Sequence, residues 1–308
     1  MRVKKLQNTA TSLAAAMDEF MEFKVAQKSA NLTLKDYRQT FKFFKAAASD
    51  SMDEDILRKE TLAFFKAIPD TSPSRYNKPY SNMNAFYNWC LDQEYLTVNP
   101  LKKLKLKKKK DDGKILPVTI DELRGFMNVI NTHEYAGLRD YAAILLQIDT
   151  GIRPGEMLKL TEANYDAAKS SVMVPKSAAK TDENRQLFLS PQTVRYINKL
   201  LKAKLDSWGP WIFCSYEGTQ LYEVNYARRF QLYSAESGIK ITPYQLRHSF
   251  ATLYLKNGGD IFTLQRTMGH SDLRMTKRYV EIDDDFMREQ HELASPAASL
   301  LIERKRRL

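Results

Sequence analysis

The 308-residue chain is poor in several things that would have pointed elsewhere. It has two cysteines, Cys90 and Cys214, far apart in the sequence. No disulfide framework can be built from them, and a reducing, cytoplasmic setting is the expectation. Four histidines and no His/Cys/Asp cluster at ligand spacing leave no metal site to expect. Eleven glycines include no phosphate-cradling loop, so neither a nucleotide nor any other cofactor is expected. No window approaches the length of a membrane-crossing helix, and the first residues lack a signal peptide's apolar core, which removes a membrane partner.

Acidic charge is also scarce relative to basic: 37 Asp+Glu against 48 Lys+Arg gives a formal charge of +11. Such an excess favours a polyanionic partner. It is concentrated. Residues 1–110 hold 21 Lys+Arg against 12 Asp+Glu, and seven of the nine residues from Lys102 to Lys110 are lysine. That run follows the turn signal Val98-Asn99-Pro100 and precedes the breaker cluster Asp111-Asp112-Gly113. It therefore reads as a boundary, dividing the chain into residues 1–101, a basic linker 102–116, and residues 117–308. The run reads either as a solvated linker or as a tether along a nucleic-acid backbone, with Lys107, Lys108, Lys109 and Lys110 as salt-sensitive phosphate contacts.

Ahead of the run, amphipathic periodicity predicts four helices, at about 12–29, 33–48, 53–67 and 74–94. Phe41, Phe43, Phe44, Phe64, Phe65, Phe86, Tyr87 and Trp89 are expected as the core of that bundle. After the run, Thr119 to Leu123 begins a helix with a capping pattern. An apolar helix over 138–149 ends at Thr150-Gly151, and Arg153-Pro154-Gly155-Glu156 opens another. Residues 171–175 and 185–189 alternate like two short strands, with Lys176 and Lys180 in the loop between them.

The stretch from Thr242 to Val280 carries the most information. Thr242-Pro243 is an N-cap with proline at the first helical position, and Asn257-Gly258-Gly259 stops the helix. Asp260 caps a helix over 261–268, and Gly269 terminates it. Arg247, His270 and Tyr279 are thereby delivered by successive short helices. Their chemistry suits a phosphodiester without a metal: a planar fork of donors for phosphate oxygens, an imidazole that exchanges a proton near neutrality, and a hydroxyl able to attack.

LRHSFAT at 246–252, MGHS at 268–271 and Tyr279 nine residues after His270 resemble the second box of the tyrosine recombinase (phage integrase) family. TGIRPGE at 150–156 resembles its first box, TGLRxxEL. One position departs: Tyr244 stands where the family has a histidine three residues before the arginine. The resemblance implies a mainly α fold with a small β-sheet, comprising an N-terminal helical core-binding domain (a four-helix bundle) and a mixed α/β catalytic domain.

It further implies a site-specific recombinase or integrase that cuts duplex DNA through a 3′-phosphotyrosyl link and a Holliday junction, integrating or excising a mobile element. In that reading Tyr279 is the nucleophile and Arg153 and Arg247 hold the phosphate. Glu156 supports Arg153, and His270 bonds to the transition state. The family's spacing makes Lys180 the general acid, with Lys176 as the other candidate. Tyr244 takes the place of the proton-accepting histidine, although a phenol with an ordinary pKa of about 10 is a poor base at neutral pH.

The implied partners are duplex DNA at specific core sites, an accessory directionality factor, and three further copies in a homotetramer. The tetramer would exchange C-terminal tails, here residues 294–308. The segment before Ser12 is expected to be too short for an arm-type DNA-binding domain. A chromosome-dimer-resolving recombinase, a type IB topoisomerase-like relaxing enzyme and a catalytically decayed DNA-binding protein remain as alternatives.

Overall fold

A computed structural model describes residues 12–110, 117–179, 183–277, 279, 287–288, 291–292 and 295–297. The chain divides into two compact units, Met1–Gly113 and Lys114–Leu308. Lys180 and most of the expected tail segment lie outside the described residues.

The first unit is helical: α1 (Leu13–Ala26), α2 (Asn31–Lys45), α3 (Glu54–Ala67), α4 (Pro73–Asp92) and the one-turn α5 (Pro100–Lys103). Local chemistry starts these helices. The Ser12 hydroxyl accepts from the Ala15 N–H at 3.1 Å, and Asp53 accepts from the N–H groups of Asp55 and Ile56, both at 3.0 Å. Phe20 lies at the centre, edge-on to Tyr37, Phe41, Phe86 and Trp89 at centroid distances of 5.1–5.8 Å. Phe43 differs from the expectation and is 57% exposed. Phe41 and Phe44, three residues apart, share the buried face of α2, and the helical period turns Lys42 and Phe43 between them outward.

The basic run is not bare chain. Asn99 caps α5, whose Leu101 is buried, and Leu106 packs on the bundle core. Tyr80 donates to the Leu106 carbonyl at 3.0 Å, and Asn77 exchanges two hydrogen bonds with the Lys109 backbone. The Lys109 ammonium pairs with Asp70 and sits 5.0 Å from the Tyr76 ring centroid, whereas Lys107, Lys108 and Lys110 are exposed.

The second unit contains α6 (Ile120–Asn128), α7 (Tyr135–Thr150), α8 (Pro154–Met157), α9 (Pro191–Lys202), α10 (Glu223–Ser237), α11 (Pro243–Lys256), α12 (Ile261–Met268) and α13 (Leu273–Lys277). Strands β1 (Tyr165–Asp166), β2 (Ser171–Val174) and β3 (Arg185–Phe188) form an antiparallel sheet in that order. β2 and β3 register Ser171 with Phe188 and Val174 with Arg185. The fold is thus mainly α with a small sheet. At two residues, β1 is too short to show a period-two pattern.

α7 is buried on most of its surface and packs between α9 and α11. Its Gln147 accepts from the Tyr226 hydroxyl at 2.9 Å and donates towards the Ile152 and Pro243 carbonyls, both at 3.4 Å. This glutamine joins the starts of α8 and α11, the two segments carrying Arg153 and Arg247. The Ser249 hydroxyl accepts from the Val118 N–H at 2.7 Å, fixing the entry of the unit onto α11. Gly151 closes α7 at φ 63°, and a Cβ there would lie 2.3 Å from the Phe250 ring, so the position requires glycine twice over.

Candidate active site

The site forms where α8, β3, α11 and the C-terminal end of α12 meet. Arg153 occupies the N-cap position of α8, and Glu156 follows in that helix. Arg185 opens β3. Arg247 lies in the second turn of α11, a helix started by the Thr242–Gln245 capping box. Gly269 ends α12 at φ 63°, and its N–H bonds back to Gln265 and Arg266. His270 comes next, held by a 3.1 Å bond from its N–H to the Gln265 carbonyl.

All three arginines turn to the last carbonyls of α12, which a helix leaves without internal partners and which carry its negative dipole end. Arg185 Nε donates to the Thr267 carbonyl at 3.0 Å. Arg153 donates to Met268 at 3.3 Å and Gly269 at 3.1 Å. Arg247 donates to Met268 at 2.8 Å and to the Gly151 carbonyl. Glu156 lies between two of them, with one carboxylate oxygen accepting from Arg153 at 3.0 Å and the other from Arg185. Burial, then the neighbouring charge of Arg153, pushes the Arg247 guanidinium down to about 9. It remains cationic at neutral pH, and an anion bound between the two arginines relieves both penalties.

His270 is 9% exposed. Its Nε2 lies 3.0 Å from Arg247 Nη2, and its Nδ1 lies 2.8 Å from Thr276 Oγ1. A guanidinium has no acceptor, so Nε2 accepts and the ring proton sits on Nδ1, directed at Thr276. The Tyr279 ring stacks over this imidazole at 6.4 Å and 11°, and packs against the cluster of Phe250, Leu255, Leu264 and Met268. The Tyr279 hydroxyl lies 2.8 Å from Nδ1 of His248.

The structure thus brings Arg153, Glu156, Arg247, His270 and Tyr279 together. Tyr244 stands at the outer edge, within electrostatic reach of Arg153, Arg247 and Glu156: it is 53% exposed and, with Pro154, Val224, Ala227, Phe230 and Ile241, lines an apolar groove of about 670 Å³. Partial burial, with Glu223 nearby, raises its phenol above the ordinary value. Lys176 is exposed, its N–H bonded to Asn184 at 2.7 Å. Among the described residues no helix is long and apolar enough to cross a membrane, and no group of three or more His, Cys, Asp or Glu could hold a metal ion.

Two residues of this site are not marked as such by the sequence pattern. The signal for Arg185 is slight: a charged residue that opens a short strand, is buried, and alternates with the exposed Gln186. His248 stands inside the LRHS motif, directly after Arg247. That it reaches Tyr279 is a contact across 31 residues.

Residues 118–285 match the phage integrase family. The chain belongs to that family. Curated phage integrase relatives include the tyrosine recombinase XerD of Lacticaseibacillus casei, 28% identical over 84% of this chain and 90% of the relative. Another is the tyrosine recombinase XerC of Serratia marcescens, 27% identical over 94% of this chain and 97% of the relative. Among solved structures, the Tn1549 transposon integrase in complex with circular intermediate DNA superposes with a TM-score of 0.75 at 17% identity, covering 92% of this chain and 99% of that one. A lambda integrase (75–356) dimer bound to a core site gives 0.74 at 20%, covering 89% and 98%. The chain therefore shares its fold with proteins solved on DNA.

Proposed function

We propose that this protein is a site-specific tyrosine recombinase that integrates or excises a mobile element. The convergence of Arg153, Arg247, His270 and Tyr279 on the end of α12 carries the reading. Tyr279 Oη attacks the scissile phosphorus, the P–O5′ bond breaks, and a 3′-phosphotyrosyl link and a 5′-hydroxyl result. Bond type is conserved, so the reverse attack by a 5′-hydroxyl reseals the strand without external energy.

Two arginines suit the step because the pentacoordinate transition state spreads charge over two non-bridging oxygens, and preorganised guanidinium groups stabilise it in place. The trapping of wild-type protein on a nicked suicide substrate, seen as a shifted band on a denaturing gel, tests the reading. No band would end it.

The departing 5′-oxygen needs a proton, which we assign to Lys180. Lys180→Ala is expected to cleave normal DNA about 10²–10⁴-fold more slowly, and to recover when sulfur replaces that oxygen, because a thiolate departs unprotonated. Loss and sulfur rescue in Lys176→Ala instead would transfer the role.

The exposed lysines of the basic run are assigned to the DNA backbone. Replacing Lys107, Lys108 and Lys110 with glutamine should weaken binding to all sequences alike and lower the log–log salt slope by about 0.9 for each phosphate no longer neutralised. Lys109→Gln should change the slope least, since its ammonium is held by Asp70 and Tyr76. Equal slopes for native protein and triple variant would reduce the run to a solvated linker.

A chromosomal dimer-resolving recombinase is the second reading, supported by the likeness to curated Xer relatives along most of this chain. Footprinting on DNA flanking the gene separates the two: a protected core site there favours the mobile element, and its absence favours the second reading.

A further inference from the structure

Proton removal from the nucleophile is the step that the departure at Tyr244 leaves without an obvious base. A solvent-facing phenol raised above its ordinary pKa does not take a proton at neutral pH. His270 is also committed: Nε2 accepts from Arg247, Nδ1 donates to Thr276, and its ring meets Tyr279 face to face at 6.4 Å. His248 meets the hydroxyl itself. It is half-buried on α11, directly after Arg247, with its ring centroid 5.4 Å from that of Tyr279 and its Nδ1 at 2.8 Å from the hydroxyl. That distance is within reach for general base catalysis.

We propose that His248 is the catalytic base that accepts the Tyr279 proton through Nδ1, taking over the work of the histidine that Tyr244 replaces. The inference rests on the recombinase reading. As the Oη–P bond forms and the P–O5′ bond breaks, the phenolic proton passes to Nδ1 and the 5′-oxygen leaves with a proton from the general acid. When the strand is resealed, the 5′-hydroxyl attacks, its proton returns to that acid, and His248 gives its proton back to the departing phenol. Protons and charge balance over the cycle, so each turnover restores a neutral imidazole. The position suits the task. One helix carries both Arg247, which grips the phosphate, and His248, which activates the attacking oxygen, so phosphate and nucleophile are registered by a single rigid element.

The test uses full-length protein and the nicked suicide substrate. His248→Ala is expected to bind site DNA as the native protein does and to form the covalent adduct about 10²–10⁴-fold more slowly. Added imidazole should restore part of that rate. A more acidic phenol, introduced as 3,5-difluorotyrosine at position 279, should shrink the gap between native protein and variant, because less help is then needed to remove the proton. His248→Gln, which keeps an acceptor for the hydroxyl without basicity, should be as slow as His248→Ala and respond to the fluorinated tyrosine in the same way.

A purely positioning histidine would predict the reverse pattern, with His248→Gln near native and no rescue by imidazole or fluorotyrosine; that pattern overturns the proposal. So does His248→Ala cleaving within about threefold of the native rate. If the native protein itself forms no adduct, the recombinase reading falls and takes this assignment with it. A native adduct alongside an unimpaired His248→Ala removes the base alone.

Discussion

Tyr279→Phe binds its site with native affinity and forms no covalent adduct; this is the largest functional effect expected of any single substitution. The change deletes one oxygen. The ring keeps its packing on His270 and in the cluster with Phe250, Leu264 and Met268. The bond to His248 is lost, which costs about 0.5–1.5 kcal/mol. Since no oxygen remains to attack, cleavage is abolished rather than slowed. Trapping on a suicide substrate, with site binding measured in parallel, separates chemistry from folding. A shifted band surviving in the variant would move the nucleophile elsewhere.

Glu156→Ala carries the largest stability effect. The carboxylate is 4% exposed and lies between Arg153 and Arg185, whose side chains are 17% and 7% exposed. Among the described residues Arg185 Nη1 has no hydrogen-bond partner. Removing that carboxylate leaves two guanidinium groups close together in a largely buried site with Arg247 beside them. Breaking a buried pair from one side costs about 3–5 kcal/mol. Glu156→Gln retains an acceptor but not the charge and should fall between native protein and alanine. Urea unfolding of the three proteins checks the order, and a loss under about 1 kcal/mol for alanine would mean that water already screens the cluster.

What could be read from the sequence was what depends on neighbours along the chain. Caps and stops are local chemistry, so Thr242-Pro243, Asp260, Gly151 and Gly269 each bound the helix expected of them. The boxes also placed their arginines, histidine and tyrosine on elements that converge. What escaped was set across space. No local pattern shows that three arginines need the carbonyls of Thr267, Met268 and Gly269, because backbone acceptors are the same at every residue. The reach of His248 to Tyr279 depends on how α11 and the turn after α13 pack. The lysine run illustrates the same limit: its charge pattern suggests open chain, yet Leu106 and Lys109 are drawn onto α4 by Tyr80 and Asn77.

The shared seat of the arginines on α12 also bears on how the protein comes into being. Arg153 reaches carbonyls 115 and 116 residues downstream, Arg185 one 82 residues on, and Arg247 one 21 residues on. Synthesis runs from the N-terminus, so a growing polypeptide has made all three cations before the segment that gathers them. Until residue 269 is made, the carbonyls that seat them are not all present. Tyr279 follows ten residues later, so the arginines proposed to hold the phosphate gain their seat almost as the proposed nucleophile is made. On the proposed reading, a partial product that ends before α12 holds the basic run assigned to the DNA backbone but lacks the nucleophile, so it can bind DNA without cutting it.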